Sequence, residues 1–127
     1  MAHFYELPVY KRAIDLATTL TKSTNKTDKD IRFTRVTAMK NKAMDIAKHI
    51  AFANDELGNL EERMKYIDSC LDVLHDIEID TRVLKDANLI TKSGFSAITS
   101  AEGRLGKQLN GWKNSVAKKL EKPQESK

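Results

Sequence analysis

Apolar residues return at steps of three and four along four separate stretches of the chain, the spacing of one face of an α-helix. The longest is 60–84, where Leu60, Met64, Ile67, Leu71, Leu74, Ile77 and Leu84 fall in line, with Thr81 filling the turn before Leu84. No proline or glycine interrupts it. Such a helix is marginally stable alone in water and needs other apolar stripes to lie against. Val9, Ala13, Leu16, Ala17 and Leu20 supply one, with Pro8 suited to the first turn and an end near Lys22. Val36, Met39, Ala43, Ile46, Ala47 and Ile50 supply a second, widened by Phe33 and Met44. Thr27 or Asp28 caps that helix, and it ends near Asn54. Phe95, Ile98, Leu105, Leu109, Trp112, Val116 and Leu120 supply the last, with Trp112 as the core anchor.

Asn59 caps the third helix, and Glu61 and Glu62 follow in its first turn, where the helix dipole favours them. Residues 91–94 read as a turn before the fourth helix. Gly103, Gly106 and Gly111 lie inside that helix, each costing roughly 1 kcal/mol relative to alanine. Packing must outweigh that cost, or a neighbouring backbone must need the room. Four amphipathic helices with short loops predict an all-α fold, an up-down-up-down antiparallel four-helix bundle. It forms one domain over 1–120 with a polar tail at 121–127. With five glycines and two prolines, the chain lacks the turn residues of a β-sandwich. The single Cys70 cannot form an internal disulfide. Residues 1–9 lack the apolar core of a signal peptide. No apolar run approaches the roughly 20 residues of a membrane span. The expectation is a cytoplasmic protein with no membrane partner.

Charge divides the chain. Residues 1–54 carry ten Lys/Arg against five Asp/Glu, 55–80 carry two against nine, and 81–127 carry ten against four. Basic ends around an acidic middle describe a two-sided molecule, one side of which attracts nucleic acid. Solvated helix faces of differing sign would look the same. Glu102 falls among Ile98, Leu105 and Leu109, where a bare carboxylate is costly. An antiparallel hairpin about residue 92 sets position 82 level with about 103. The expected remedy is an ion pair in which Arg82 donates to Glu102, shared with Glu78. A catalytic pair of carboxylates, Glu78 and Glu102, is the other reading. An arginine between them would keep both ionised and useless as acids.

His3, His49 and His75 make no metal signature, and no cofactor motif is present. Cys70 borders an apolar stripe and reads as a core thiol. Basic residues are the remaining signal. Arg104, Lys107 and Lys118 share the outer face of the fourth helix. Lys119 and Lys122 extend that charge toward the tail. With Arg35 and Lys42 of the second helix, and Lys11 and Arg12 of the first, these are candidate phosphate contacts. Arg35, Lys42 and His49 stand seven apart and form a stripe along one flank. With no aromatic interleaved, the implied binding is backbone-directed and salt-sensitive.

The order of segments resembles a known family. Phe4, Leu7, Val9, Lys11, Ala13 and Leu16, then Phe33-Thr34 and a helix ending over 46–51, resemble the four-helix-bundle proteins encoded in ribosomal RNA intervening sequences. Ile79-Asp80-Thr81-Arg82-Val83-Leu84-Lys85-Asp86 is similar to the "LLRLAYDL"-like segment of accessory variability determinants of diversity-generating retroelements. Glu102-Gly103-Arg104-Leu105 and Gln108-Leu109-Asn110-Gly111-Trp112-Lys113-Asn114-Ser115 resemble that family's "EIGR" and "QLGGWIKS" elements, here separated by a short stretch. The resemblance covers roughly 4–118. It implies a barrel-shaped homopentamer of four-helix bundles with a basic surface. Such a protein binds a reverse transcriptase and RNA or DNA during mutagenic copying and is not itself an enzyme. It also implies structural roles for Arg82 and Trp112 and a place in the binding surface for the cations of the second and fourth helices. The alternative is an RNA-associated or assembly protein of the intervening-sequence family with no polymerase partner.

Overall fold

The computed structural model describes residues 3–24, 35–56 and 58–121. A 3-10 turn, Phe4–Glu6, leads into α1, Pro8–Ser23. α2 spans Thr37–Asp55, α3 Leu60–Asp86 and α4 Lys92–Glu121. Helices pack in the pairs α1–α2, α2–α3, α3–α4 and α1–α4. This leaves α1 diagonal to α3 and α2 diagonal to α4. Every adjacent pair is antiparallel: Lys42 reaches Asp80 while Arg63 reaches Ala53, Glu102 meets Thr81 while Lys113 meets Asp68, and Ser23 abuts Gly94. The all-α four-helix bundle expected from the apolar spacing is the fold observed. The candidate caps Thr27 and Asp28, together with Phe33 and Lys122, lie outside the described residues.

The expected stripes form the core apart from Phe95, which is half-buried and belongs to neither apolar cluster, and with four further shifts. On α3 the fully inward line is Arg63, Ile67, Cys70, Leu74, Ile77, Thr81 and Leu84, while Met64 and Leu71 flank it. That line repeats at strict heptad spacing, which keeps one seam facing its neighbours along 27 residues. Met44, on α2, is exposed, because it follows the inward Ala43 by about 100° of helix rotation. Leu120 of α4 is exposed as well, beyond the reach of the other helices' packing. Finally, α4 begins one turn earlier than expected. Thr91 Oγ1 accepts from the Gly94 amide at 2.9 Å, so residues read as a turn are the helix's first turn. Gly94 also lets that end approach α1: a Cβ there would lie 3.4 Å from the Ser23 side chain. By contrast, a Cβ at Gly103 or Gly111 would meet open space, so no neighbouring backbone needs the room.

The two ends of the bundle differ. At the α3–α4 turn, Asn88 takes a left-handed conformation (φ 59°). The Leu89 amide donates to Leu84 O and the Asn88 amide to Lys85 O, which satisfies the last carbonyls of α3. At the opposite end, α1 runs out. Its 16 residues span about 24 Å, against about 45 Å for the 30 residues of α4. The apolar cluster there, Ala53, Ile67 and Val116 with Leu60, Met64, Tyr66, Leu71 and Trp112, comes from α2, α3 and α4 alone.

Candidate nucleic-acid interface

The bundle order decides which cations share a side. Arg104, Lys107 and Lys118 are all exposed on the outer side of α4, away from its buried stripe, and Lys107 stands beside Leu7, Pro8 and Val9 of the chain's first elements. Lys11 and Arg12 lie on the neighbouring α1. Two clefts mark the seam between these helices. One, about 570 Å³, is lined by Lys11, Arg12, Asp15 and Gln108 among others. The second, about 510 Å³, is lined by Leu7, Val9, Arg63, Lys107, Gln108 and Trp112 among others. Gln108 borders both, so Lys11, Arg12 and Lys107 stand around one stretch of α4. Asp15 and Glu121 are the only exposed acids of α1 and α4. Arg12 Nη1 pairs with Asp15 at 3.2 Å, and Arg104 Nη1 donates to Ser100 Oγ at 2.9 Å. Lys11, Lys107 and Lys118 make no ion pair among the described residues.

Arg35 and Lys42 do not join them. Because α2 is diagonal to α4, its cations cannot share a face with Arg104 and Lys107. Lys42 Nζ lies 2.8 Å from Asp80 Oδ2, and Arg35 Nη1 lies 3.8 Å from Asp80 Oδ1. The seven-residue stripe of Arg35, Lys42 and His49 is the α2 edge facing α3. The His49 ring lies 6.0 Å from Tyr66 and 6.1 Å from Phe52. The acidic α3, with eight Asp/Glu against four Lys/Arg, thus holds Lys42 and Arg35 through Asp80 and stands diagonally opposite α1.

The expected ion pair of Arg82 with Glu102 is also absent. Arg82 follows the inward Thr81 and so points outward, its guanidinium 5.2 Å from the Phe95 ring, which also holds Lys85 Nζ at 5.1 Å. Glu78 pairs with His75 at 3.0 Å. The partner of Glu102 is Thr81, whose Oγ1 is 2.7 Å from Glu102 Oε2 and 2.9 Å from Ile77 O. A hydroxyl has one proton and cannot donate to both. A neutral Glu102 resolves this: its carboxyl donates to Thr81 Oγ1, and Thr81 donates to Ile77 O. The energetics agree. Burial pushes the Glu102 carboxyl up to about 7 and the Glu78 charge raises it further; only a hydrogen bond donated by Thr81 to the ionised carboxylate would act in the opposite direction. With no arginine between Glu78 and Glu102, that argument against a catalytic pair falls. Burial supplies another: Glu102 is 4% exposed and lines neither cleft.

One functional-looking residue escaped the sequence reading. Arg63 is 7% exposed. Its Nε donates to Ala53 O at 2.9 Å and its Nη2 to Asn54 O at 3.3 Å, so it caps the end of α2. Its guanidinium lies 5.8 Å from the Trp112 ring. Trp112 itself is partly buried and packs against both apolar clusters, bridging them. Arg63 occupies a heptad position on α3, which is the only signal the chain carries for its burial. Cys70 is a core thiol, fully buried, with its ionisation pushed up to about 12 by burial. No group of three metal-ligating side chains occurs among the described residues. Nor is any described helix long and apolar enough to cross a membrane.

Fold and surface together define a class: an all-α bundle with one basic side and one acidic side. No protein-family model matches the chain, and no curated protein matches it with significance.

Proposed function

We propose that this protein is a non-catalytic nucleic-acid-binding module that grips phosphates with its α1–α4 face. The residues in contact are Lys11, Arg12, Arg104, Lys107 and Lys118. The observation that carries this reading is the gathering of these cations on two adjacent helices that expose few acids. Arg35 and Lys42 are left out of the surface, being held by Asp80. Guided by the resemblance of 79–86 and 102–115, we propose that the module serves as the accessory subunit of a reverse transcriptase, as a homopentamer, during mutagenic copying of template RNA into DNA.

Filter binding of RNA and DNA across a salt series tests the surface. Contacts with phosphates release counterions, so affinity should fall steeply and linearly on logarithmic axes. An affinity flat from low to high salt sinks the binding claim. Co-purification with a reverse transcriptase, should one be encoded beside this protein, tests the partner, and light scattering tests the pentamer. Salt-sensitive RNA binding by a protein that retains no polymerase would favour the intervening-sequence reading.

A further inference from the structure

The end of the bundle that α1 fails to cover holds a buried positive charge that, among the described residues, has no anion to answer it. Arg63 makes two hydrogen bonds to backbone carbonyls, and its remaining amino group, Nη1, makes none among the described residues. Carbonyls at a helix C-terminus offer only partial negative charge. No carboxylate lies within ion-pairing distance of Arg63 or of Lys107 among the described residues. A buried cation without a counter-charge is costly, and burial lowers the affinity of Arg63 for its proton. Both residues line the cleft of about 510 Å³, whose remaining wall includes Leu7, Val9 and Trp112. That volume and that mixture of apolar wall with a few polar groups suit a small organic ligand.

We infer that this cleft binds a small amphipathic carboxylate, with its apolar body against Leu7, Val9 and Trp112 and its carboxylate between Arg63 and Lys107. Two of the guanidinium's three nitrogens are already engaged. The site therefore offers one arginine amino group and one ammonium, which matches the two oxygens of a carboxylate. The inference shares Lys107 with the proposed nucleic-acid surface but does not rest on that binding, since Arg63, Trp112 and the apolar wall of the cleft carry it.

Trp112 is the only tryptophan of the chain, so its fluorescence reports directly on the cleft. The test titrates the full-length protein with octanoate, and in parallel with 1-octanol and octylamine. A saturable change with octanoate is expected, with the alcohol about tenfold weaker and the amine weaker still, because the charge-assisted hydrogen bonds are lost. Gly111→Leu is the decisive variant. Gly111 lines the cleft, and a side chain there meets open space at its Cβ, so leucine fills the cleft without disturbing the helix. Its thermal midpoint should hold or rise while the octanoate response disappears. Equal responses to octanoate and octanol, no response, or a response that survives in Gly111→Leu would each overturn the inference.

Discussion

The α1–α4 face and the α2–α3 face carry cations of the same kinds, yet the two differ in the acids that stand beside them. On α2–α3, Asp80 holds Lys42 at 2.8 Å and stands 3.8 Å from Arg35. On α1–α4, Lys11, Lys107 and Lys118 are exposed and make no ion pair among the described residues. Position on a helix decides whether a cation is exposed. The neighbouring helix decides whether it is already occupied. The fold places the most acidic helix beside α2 and diagonal to α1, and the electrostatic two-sidedness follows from that order.

The largest effect should come from reversing charge on the open face. Arg104→Glu with Lys107→Glu should weaken RNA binding about a hundredfold or more at moderate salt and flatten the salt slope by about two. Circular dichroism should show the fold intact, since both side chains point to water. The matching Arg35→Gln with Lys42→Gln should change affinity less than about threefold. Equal losses from the two pairs would erase the distinction between the faces.

Next in size is the buried carboxylate, Glu102, which no cation answers among the described residues. Native Glu102 keeps its proton to about pH 7, whereas an unfolded glutamate releases it near 4.5. Between those values the folded state binds more protons. This contribution is therefore whole below about pH 4.5, drains away as pH rises to about 7, and is constant above. Glu102→Gln keeps the donor to Thr81 without the titration. It should match wild type near pH 4.5 and exceed it at pH 8 by up to about 3 kcal/mol in urea unfolding. Parallel pH curves for the two proteins would show that Glu102 is ionised throughout.

A smaller effect is expected at Asp80. Asp80→Asn releases Arg35 and Lys42 and should cost at most about 1 kcal/mol of stability, the scale of a partly exposed pair. RNA affinity should change less than about twofold, because the freed cations lie across the bundle from the binding face, beyond the roughly 10 Å over which salt leaves charges visible. A gain as large as tenfold would mean that α2 contributes to the surface after all.

The sequence made the four stripes, the turn between α2 and α3 and the Asn59 cap legible, because those depend on residues close along the chain. It could not show Arg63 as a core residue, because what satisfies it is a pair of carbonyls ten and nine residues away on another helix. The hairpin register is close: position 82 is expected level with about 103, and Thr81 meets Glu102. The error lay in rotation, since one residue is about 100° of helix and moves a side chain from seam to solvent. Likewise, outward-facing cations on α2 and α4 look equivalent in one dimension. Only the diagonal placement of those helices separates them.

The smallest effect is also the one that best separates a local face from a global charge. Asp15 is the acid inside the open face, paired with Arg12 at 3.2 Å with both side chains about half exposed. Such a pair contributes under about 0.5 kcal/mol to stability. Asp15→Asn and Asp80→Asn remove the same unit of charge from the same protein. If nucleic acid responded to net charge, their effects on affinity would be equal. If it sits on α1 and α4, Asp15→Asn should strengthen binding about two- to threefold by freeing Arg12 and removing a nearby repulsion, while Asp80→Asn leaves it nearly unchanged. The two titrations, run side by side at one salt concentration, distinguish a gripping face from a diffuse cationic cloud.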